Sequence, residues 1–395
     1  MKKQKLLRLS SILPLLFSES LIADQSEWFQ RNSWNAFVSQ TAIYTSDYNF
    51  LSQSDDRVSF DLWEAGLLVS SAVRDKLTFS AQILGRKVSD TSGDDLRVDY
   101  AFFSYPFYQT MTDTIGVRLG RIRSSYGLYN ETRDIPHTRT GIVMPQSIYF
   151  DMTRNSFYSA DGIEIFGYRD IGDQRLSAQI FVSKPVADED ETGEVAQLGP
   201  TNLEGDKSLL AKISYGSEYD GFRTSFTYYR PEYTGDVSFP IGPIEFEDDD
   251  ASSYSESMIT SLEYNQFDWS LTAEYLRHKF QTNIPDLSRI PGKQAKNSGY
   301  EEAFYLQGLY RLNERWETYV RYDSTERHVN RTLADHEKWH DINIGGSFRP
   351  NENWLLRAEV HYIEGLSRLL SRDNEFSQAQ DPYWTAAMFQ VAYKW

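Results

Sequence analysis

The sequence predicts an all-β protein, a transmembrane up-and-down antiparallel β-barrel of about 16 strands whose long third loop folds into the lumen. Three observations predict it. Apolar and polar side chains alternate in segment after segment, the period of a strand with two unlike faces. The links between these segments are short and long in turn. The chain also ends on such a strand, Trp384 to Trp395, whose apolar face (Phe389, Val391, Tyr393, Trp395) runs to the last side chain, while Met388, Gln390 and Lys394 point the other way.

Composition fits a barrel that absorbs all 395 residues as one body. Aromatic residues make up 15% of the chain and Tyr alone numbers 26, yet mean hydropathy is −0.55. Beyond the first twenty-odd residues no stretch is apolar enough for a membrane helix. A barrel strand gives only alternate residues to lipid, so this does not argue against a membrane. The formal charge of −17 argues against nucleic acid as a partner. With no Cys there are neither disulfides nor thiolate metal sites or nucleophiles.

Taken in order, Met1 to Lys5 is basic, Leu6 to Phe17 mostly apolar, and Ser18 to Ala23 small-residue rich, the pattern of a secretory leader cleaved near Ala23. Residues 1–23 are thus the expected leader and 24–395 the barrel. Loss of the leader removes a net +3 and leaves the mature chain near −20. Short links rich in Gly, Asn, Asp and Pro fall at Arg74 to Lys76, Asp170 to Asp173, Gly216 to Gly221, Asn265 to Asp268, Asn313 to Arg315 and Pro350 to Asn353, with a slightly longer one at Pro106 to Asp113. Long polar links lie between them, at Ser46 to Asp56, Val88 to Asp94, Ser124 to Asp161, Lys184 to Asp206, Pro231 to Ser253, Gln281 to Ser298, Ser324 to Trp339 and Gly365 to Pro382. Strict interleaving is the arithmetic of an up-and-down barrel with both termini on the short-turn side.

The clearest strands start at Trp269, Trp316 and Trp354. In the last, Trp354, Leu356, Ala358, Val360 and Tyr362 oppose Leu355, Arg357, Glu359 and His361, so the second face should be wet. Alternation is blurred near Val98 and Gly162. Trp34, Trp269, Trp316, Trp354, Trp384, Tyr264, Tyr322 and Tyr362 sit at strand ends, where an amphipathic ring suits a membrane interface. Aromatic packing in a soluble β-sandwich is the bland alternative.

The leader, the terminal strand Phe389-Gln-Val-Ala-Tyr393-Lys-Trp395 and the stretch Leu119-Gly-Arg-Ile-Arg-Ser-Ser-Tyr-Gly-Leu-Tyr-Asn130 together resemble a Gram-negative outer-membrane porin. The last stretch is similar to the approach to the constriction loop in porins of the phosphate-selective group. That resemblance implies an outer-membrane location, a homotrimer, and a third loop that narrows the pore.

Candidate site residues follow from the loop Ser124 to Asp161, which mixes Arg133, Arg139, Arg154 and His137 with Ile142, Val143, Met144, Ile148, Tyr149 and Phe150. A loop this long and apolar is expected inside the lumen. Arg118, Arg121, Arg123, Arg133 and Arg139, beside Glu131 and Asp134, would form a constriction favouring anions, or else structural ion pairs that pin the loop. Strict parity aims Arg121 at lipid, so the strand is expected to end before it. Lys212, Arg223, Glu274, Glu317, Arg321, Arg357 and Glu359 are expected to line the lumen. The acidic runs Asp188 to Glu194 and Glu245 to Asp250 read as solvated loops, with divalent-cation bridging to the lipid surface as the alternative.

His336-Glu337-Lys338-Trp339-His340 matches a zinc-protease pattern, and two turns of helix could just fit there, but that chemistry also needs a supporting core and a third ligand, neither of which follows in the sequence. The expected function is a passive diffusion channel for small hydrophilic solutes, with no cofactor and with the lipid bilayer and lipopolysaccharide as surroundings. A barrel enzyme (lipase or protease) and a barrel-anchored surface receptor are the competing classes.

Overall fold

The computed structural model describes residues 32–88, 96–151, 154, 158–187, 201–217, 220–241, 244–290, 294–329, 338–370, 373–374 and 381–395. The expected leader, the acidic run 188–194, and His336 with Glu337 lie outside the described residues. Among the described residues sixteen strands form, the first half being β1 Asn32–Thr45, β2 Trp63–Arg74, β3 Leu77–Lys87, β4 Leu96–Gln109, β5 Asp113–Arg123, β6 Ser159–Ile171, β7 Gln174–Pro185 and β8 Thr201–Gly216. The second half holds β9 Gly221–Ile241, β10 Ile244–Asn265, β11 Trp269–Asn283, β12 Lys296–Arg311, β13 Trp316–Val329, β14 Lys338–Phe348, β15 Trp354–Gly365 and β16 Tyr383–Lys394. Each pairs antiparallel with its sequence neighbours, and β16 returns to β1 from Phe37↔Lys394 to Thr45↔Ala386, which closes the sheet and leaves no edge.

Alternation decides which face each side chain takes. On β15, Val360 is 60% exposed on the outer wall while Arg357, on the inner wall, is 2% exposed. Leu271, Ile344 and Phe389 repeat the outward pattern on other strands. A wall that is greasy outside and polar inside is stable only where the outside meets hydrocarbon. Trp34, Trp269, Trp316 and Trp354 form an outward ring at the short-turn rim, where Tyr264 packs on Trp269 at 5.5 Å. Trp384 is a correction: it points inward and is buried against Phe50 and Trp339 rather than joining a girdle.

Two further departures have local causes. Pro231 to Ser253 is not a loop, because β9 and β10 continue as a hairpin of 21 and 22 residues with a bulge between Asp248 and Ala251. At about 3.3 Å per residue such strands are nearly three times as long in contour as the roughly 25 Å apolar band, so the hairpin stands beyond the rim. Its inward Tyr233, Val237, Phe246 and Ala251 pack with Leu203 and Ile284, an apolar cluster that keeps the ladder intact among acidic residues. The blurred strands near Val98 and Gly162 do form. Register shifts beside Ile83 and Tyr105 break the dyad pattern on β4, and a Cβ on Gly162 would lie 2.2 Å from the Val182 carbonyl oxygen.

Replacing Val360 with Arg puts a charge on the lipid side and should cost about 2–4 kcal/mol of folding free energy. Denaturant titration of the protein refolded into vesicles measures this. An unchanged midpoint would contradict a hydrocarbon-facing outer wall.

Candidate functional site: a loop clasped inside the lumen

Between Arg123 and Ser159 the chain leaves the wall and enters the barrel as the third long loop, here L3. It turns at Pro136–Thr138, where His137 Nε2 lies 3.0 Å from the Asn353 carbonyl oxygen in the β14–β15 turn. L3 therefore reaches from the long-loop rim to the short-turn rim. Burial, reinforced by nearby Lys394, lowers the His137 pKa to about 4 and keeps the ring neutral.

Irregular backbone in a barrel interior needs partners for its amides and carbonyls. The wall supplies them. Arg321 donates to the Val143 carbonyl at 3.0 Å, Arg357 to those of Gly141 (3.0 Å) and Arg139, and Lys212 to that of Gly127 at 2.7 Å. Carboxylates take the amides: Glu274 accepts from Leu128 N at 2.9 Å, Glu359 from Ile142 N, and Asp323 from Ser147 N at 3.3 Å. Glu274 also accepts from Tyr149, Tyr305 and Ser261 hydroxyls at 2.6, 2.8 and 2.6 Å. Gly127 (φ 62°) is required at this point, since a Cβ would sit 2.4 Å from the Tyr149 hydroxyl.

L3 side chains are fixed by ion pairs. Arg123 binds Asp99 and Asp134, and Arg154 bridges the same two carboxylates, reaching each at 2.8 Å. Arg133 and Arg86 share Asp151 at 2.8 and 3.3 Å, and Arg139 pairs with Glu64 on β2. Burial alone would raise the Asp151 carboxyl, but Arg133 and Arg86 overcome it and hold the pKa at about 2. Asp134 is likewise lowered against the pull of burial, by Arg123 and Arg154.

Apolar contacts fill the rest. On one side of L3, Ile142 and Val143 pack with Phe50 and Leu51 of the first long loop, Leu369 and Leu370 of the last, and Trp339 and Trp384. On the other, Tyr126, Met144, Ile148 and Tyr149 meet Phe181, Leu210, Tyr229, Ile259 and Leu276 of the wall. Asn49 and Asn374 exchange hydrogen bonds at 2.7 and 3.0 Å and tie the first loop to the last.

A closed sixteen-strand barrel with its third loop inside is the deciding observation. The fold is that of bacterial porins. Similar solved structures include OmpT of Vibrio cholerae in a trimer form, at 12% identity and TM-score 0.56 over 92% of this chain and 99% of that one. An anion-selective porin from Comamonas acidovorans matches equally, at 12% identity, TM-score 0.56, and 92% and 99% coverage. The outer membrane channel DcaP of Acinetobacter baumannii follows at 13% identity and TM-score 0.52, covering 92% and 97%. No protein-family model matches the sequence, and no curated protein matches it.

In this porin-like barrel Arg123, Arg133, Asp134 and Arg139 come together as expected, but as buried ion pairs. Arg118 points inward below L3, 2.6 Å from Glu164 and over the Phe166 ring. Glu131 is exposed on the underside of L3, 3.8 Å from Lys212. Arg121 is a correction: β5 does not end before it, and it projects outward to Asp161 at 2.8 Å. Arg223 (with Glu263, 2.9 Å) and Glu317 (with Arg349, 2.9 Å) face inward as expected. The second face is drier than alternation implies, since Glu274, Arg321, Arg357 and Glu359 are buried by the loop they hold.

Sequence reasoning missed Glu64, Asp99, Asp151 and Arg86, whose arginine or carboxylate partners in the clasp lie from 18 to 75 residues away. It also missed Arg368, which crosses the mouth from the last loop to Glu301 at 2.6 Å and to the Gln146 carbonyl at 3.0 Å. The zinc-protease pattern fails on geometry, because Lys338, Trp339 and His340 are strand, and His340 bonds Ser324 at 3.0 Å.

The lowered Asp134 and Asp151 pKa values fix the sign of the acid response. Their contribution is complete above the unfolded value of about 4 and is lost as pH falls through the folded value, which for Asp151 is about 2. Pepsin, normalised to an unfolded substrate, should spare residues 124–158 near the upper end of that window and cut them near the lower. Equal cleavage at both ends would remove the ion pairs as the anchor.

Proposed function

We propose that the chain is an outer-membrane channel through which small hydrophilic solutes cross passively, driven by concentration difference or potential. The observation that carries this reading is L3 crossing the lumen between charged walls, so that the narrowest section is built by design from one loop. Flux through it is slow and selective rather than general, because both faces of the loop pack on the wall. Anion preference is weak on this reading. The L3 arginines that could create it are neutralised by Asp99, Asp134, Asp151 and Glu64, leaving Arg118 as the most exposed of the inward-facing arginines in the expected constriction.

Export by the basic and apolar leader, contact of the outer wall with bilayer and lipopolysaccharide, and assembly as a homotrimer belong to the same proposal. One of the structurally similar proteins is described as a trimer form, which supports the last of these. The buried apolar clusters around L3 favour a second reading, in which the barrel anchors the long β9–β10 hairpin as a surface receptor.

Single-channel recording of purified protein in a planar bilayer separates the two. A channel gives discrete open levels, and the double variant Arg357→Ala with Glu359→Ala, which frees two wall clasps, should give a larger and noisier level. Arg121→Glu should leave the reversal potential in a salt gradient unchanged, whereas Arg118→Glu should move it toward cations. No current from protein that passes the heat-mobility test for a folded barrel would leave the receptor reading standing alone.

A further inference from the structure

On the inner wall from β13 to β15, Asp323 lies directly opposite Asp341, and Arg321 faces the same space with Arg357, Glu359 and His361 of β15. All six side chains are buried. Three carboxylates thus face two guanidiniums, and the neighbouring β16 offers only Ala386 and Met388 opposite His361 and Glu359. Other charges near this wall are already paired: Glu317 with Arg349, Arg139 of L3 with Glu64, and Arg368 of the last loop with Glu301. The cluster balances only if His361 carries a proton.

The hydrogen bonds require the same proton. His361 Nδ1 lies 2.8 Å from Asp341 Oδ2, and its Nε2 lies 3.2 Å from Glu359 Oε2. A neutral imidazole donates from one nitrogen only and would set a lone pair against the other carboxylate, whereas the imidazolium donates from both. Its two carboxylates have further duties. Asp341 accepts from Asn343 at 3.1 Å, and Glu359 accepts from the Tyr319 hydroxyl at 2.5 Å and from the Ile142 amide of L3. Arg321 and Arg357 hold the carbonyls of Val143, Gly141 and Arg139 on either side of that amide. Residues 139–143 of L3 therefore hang on a cluster that contains the one side-chain type that ordinarily changes charge near neutral pH.

We propose that His361 is a positioning residue for L3: its imidazolium bridges Asp341 and Glu359 and keeps residues 139–143 against β13 to β15, and loss of that proton in alkaline medium releases this flank of the loop. Deprotonation leaves a buried negative charge without its partner, and an unbalanced buried set is far costlier than the intact one contributes. The Leu128 amide, on the other flank, is held by Glu274 together with Tyr149, Tyr305 and Ser261 and depends on no histidine. Such control of L3 stands whether the barrel conducts or not.

Amide exchange of the purified full-length protein in detergent, followed by NMR, tests this. The chemical rise of exchange with pH is common to all amides, so the ratio of the Ile142 rate to the Leu128 rate isolates the effect. Between about pH 7 and about pH 10 the ratio should rise about tenfold or more, the loss of one charge-assisted hydrogen bond. His361→Lys keeps a cation in place and should hold the ratio low across the range, while His361→Gln should hold it high and flat. Heat mobility checks that each variant is folded. At about pH 7 the ring-nitrogen chemical shifts of His361 in the unmodified protein should be those of an imidazolium. A neutral ring at that pH, a flat ratio in the unmodified protein, or the same rise in folded His361→Lys overturns the proposal. The expected rise in ratio, with no current in a planar bilayer at any pH, keeps the role of His361 and removes the channel, whereas current with a flat ratio does the reverse.

Discussion

A length of main chain without regular structure can lie inside a membrane barrel only if the amides and carbonyls it buries find partners there. L3 is such a chain, and the barrel wall is shaped around its needs. Arginines at 321 and 357 and a lysine at 212 meet carbonyls, while carboxylates at 274, 323 and 359 meet amides. On β13 and on β15 a donor to L3 is followed two residues later by an acceptor, Arg321 by Asp323 and Arg357 by Glu359, so each strand meets the loop with both signs of charge. Long charged side chains are suited to this because one guanidinium can reach two carbonyls of the same segment, as Arg357 does with Gly141 and Arg139.

Ion pairs this deeply buried add little net stability, since desolvation cancels most of the attraction. Their use is geometric. Arg123 and Arg154 each bridge Asp99 on β4 and Asp134 on L3, so displacing the loop would strand four charges in a dry interior. Breaking one partner of such a set costs far more than the intact set contributes, and that asymmetry makes a loop behave as a fixed wall. Fixity of this kind is what a size-limiting constriction requires.

The fold was legible because the Trp269, Trp316 and Trp354 rows obey a strict dyad period and because turn chemistry marks one rim. Illegible parts share a cause. The β9–β10 hairpin outside the band has no lipid to impose an outward apolar row, so Pro231, Gly235 and the acidic run read as loop although Tyr233, Val237 and Phe246 hold the ladder. Trp384 resembles a girdle residue by position, but its parity is that of Ala386 and Met388, which face inward. Parity likewise assigned Arg121 outward, and that assignment held against the expectation of an early strand end.

The candidate site was legible as a list of residue types and not as a set of pairs. Sequence spacing could place Arg133, Asp134 and Arg139 on one loop, but whether an arginine faces water or a carboxylate depends on Glu64, Asp99 and Asp151, brought in by β2, β4 and the far limb of L3. A cationic constriction and a neutral clamp have the same composition on L3. They differ only in what the opposite wall offers, and here β2 and β4 offer carboxylates where an anion-selective site would leave open water. Composition along L3 alone therefore leaves both outcomes open, and the carboxylates of the facing strands decide between them.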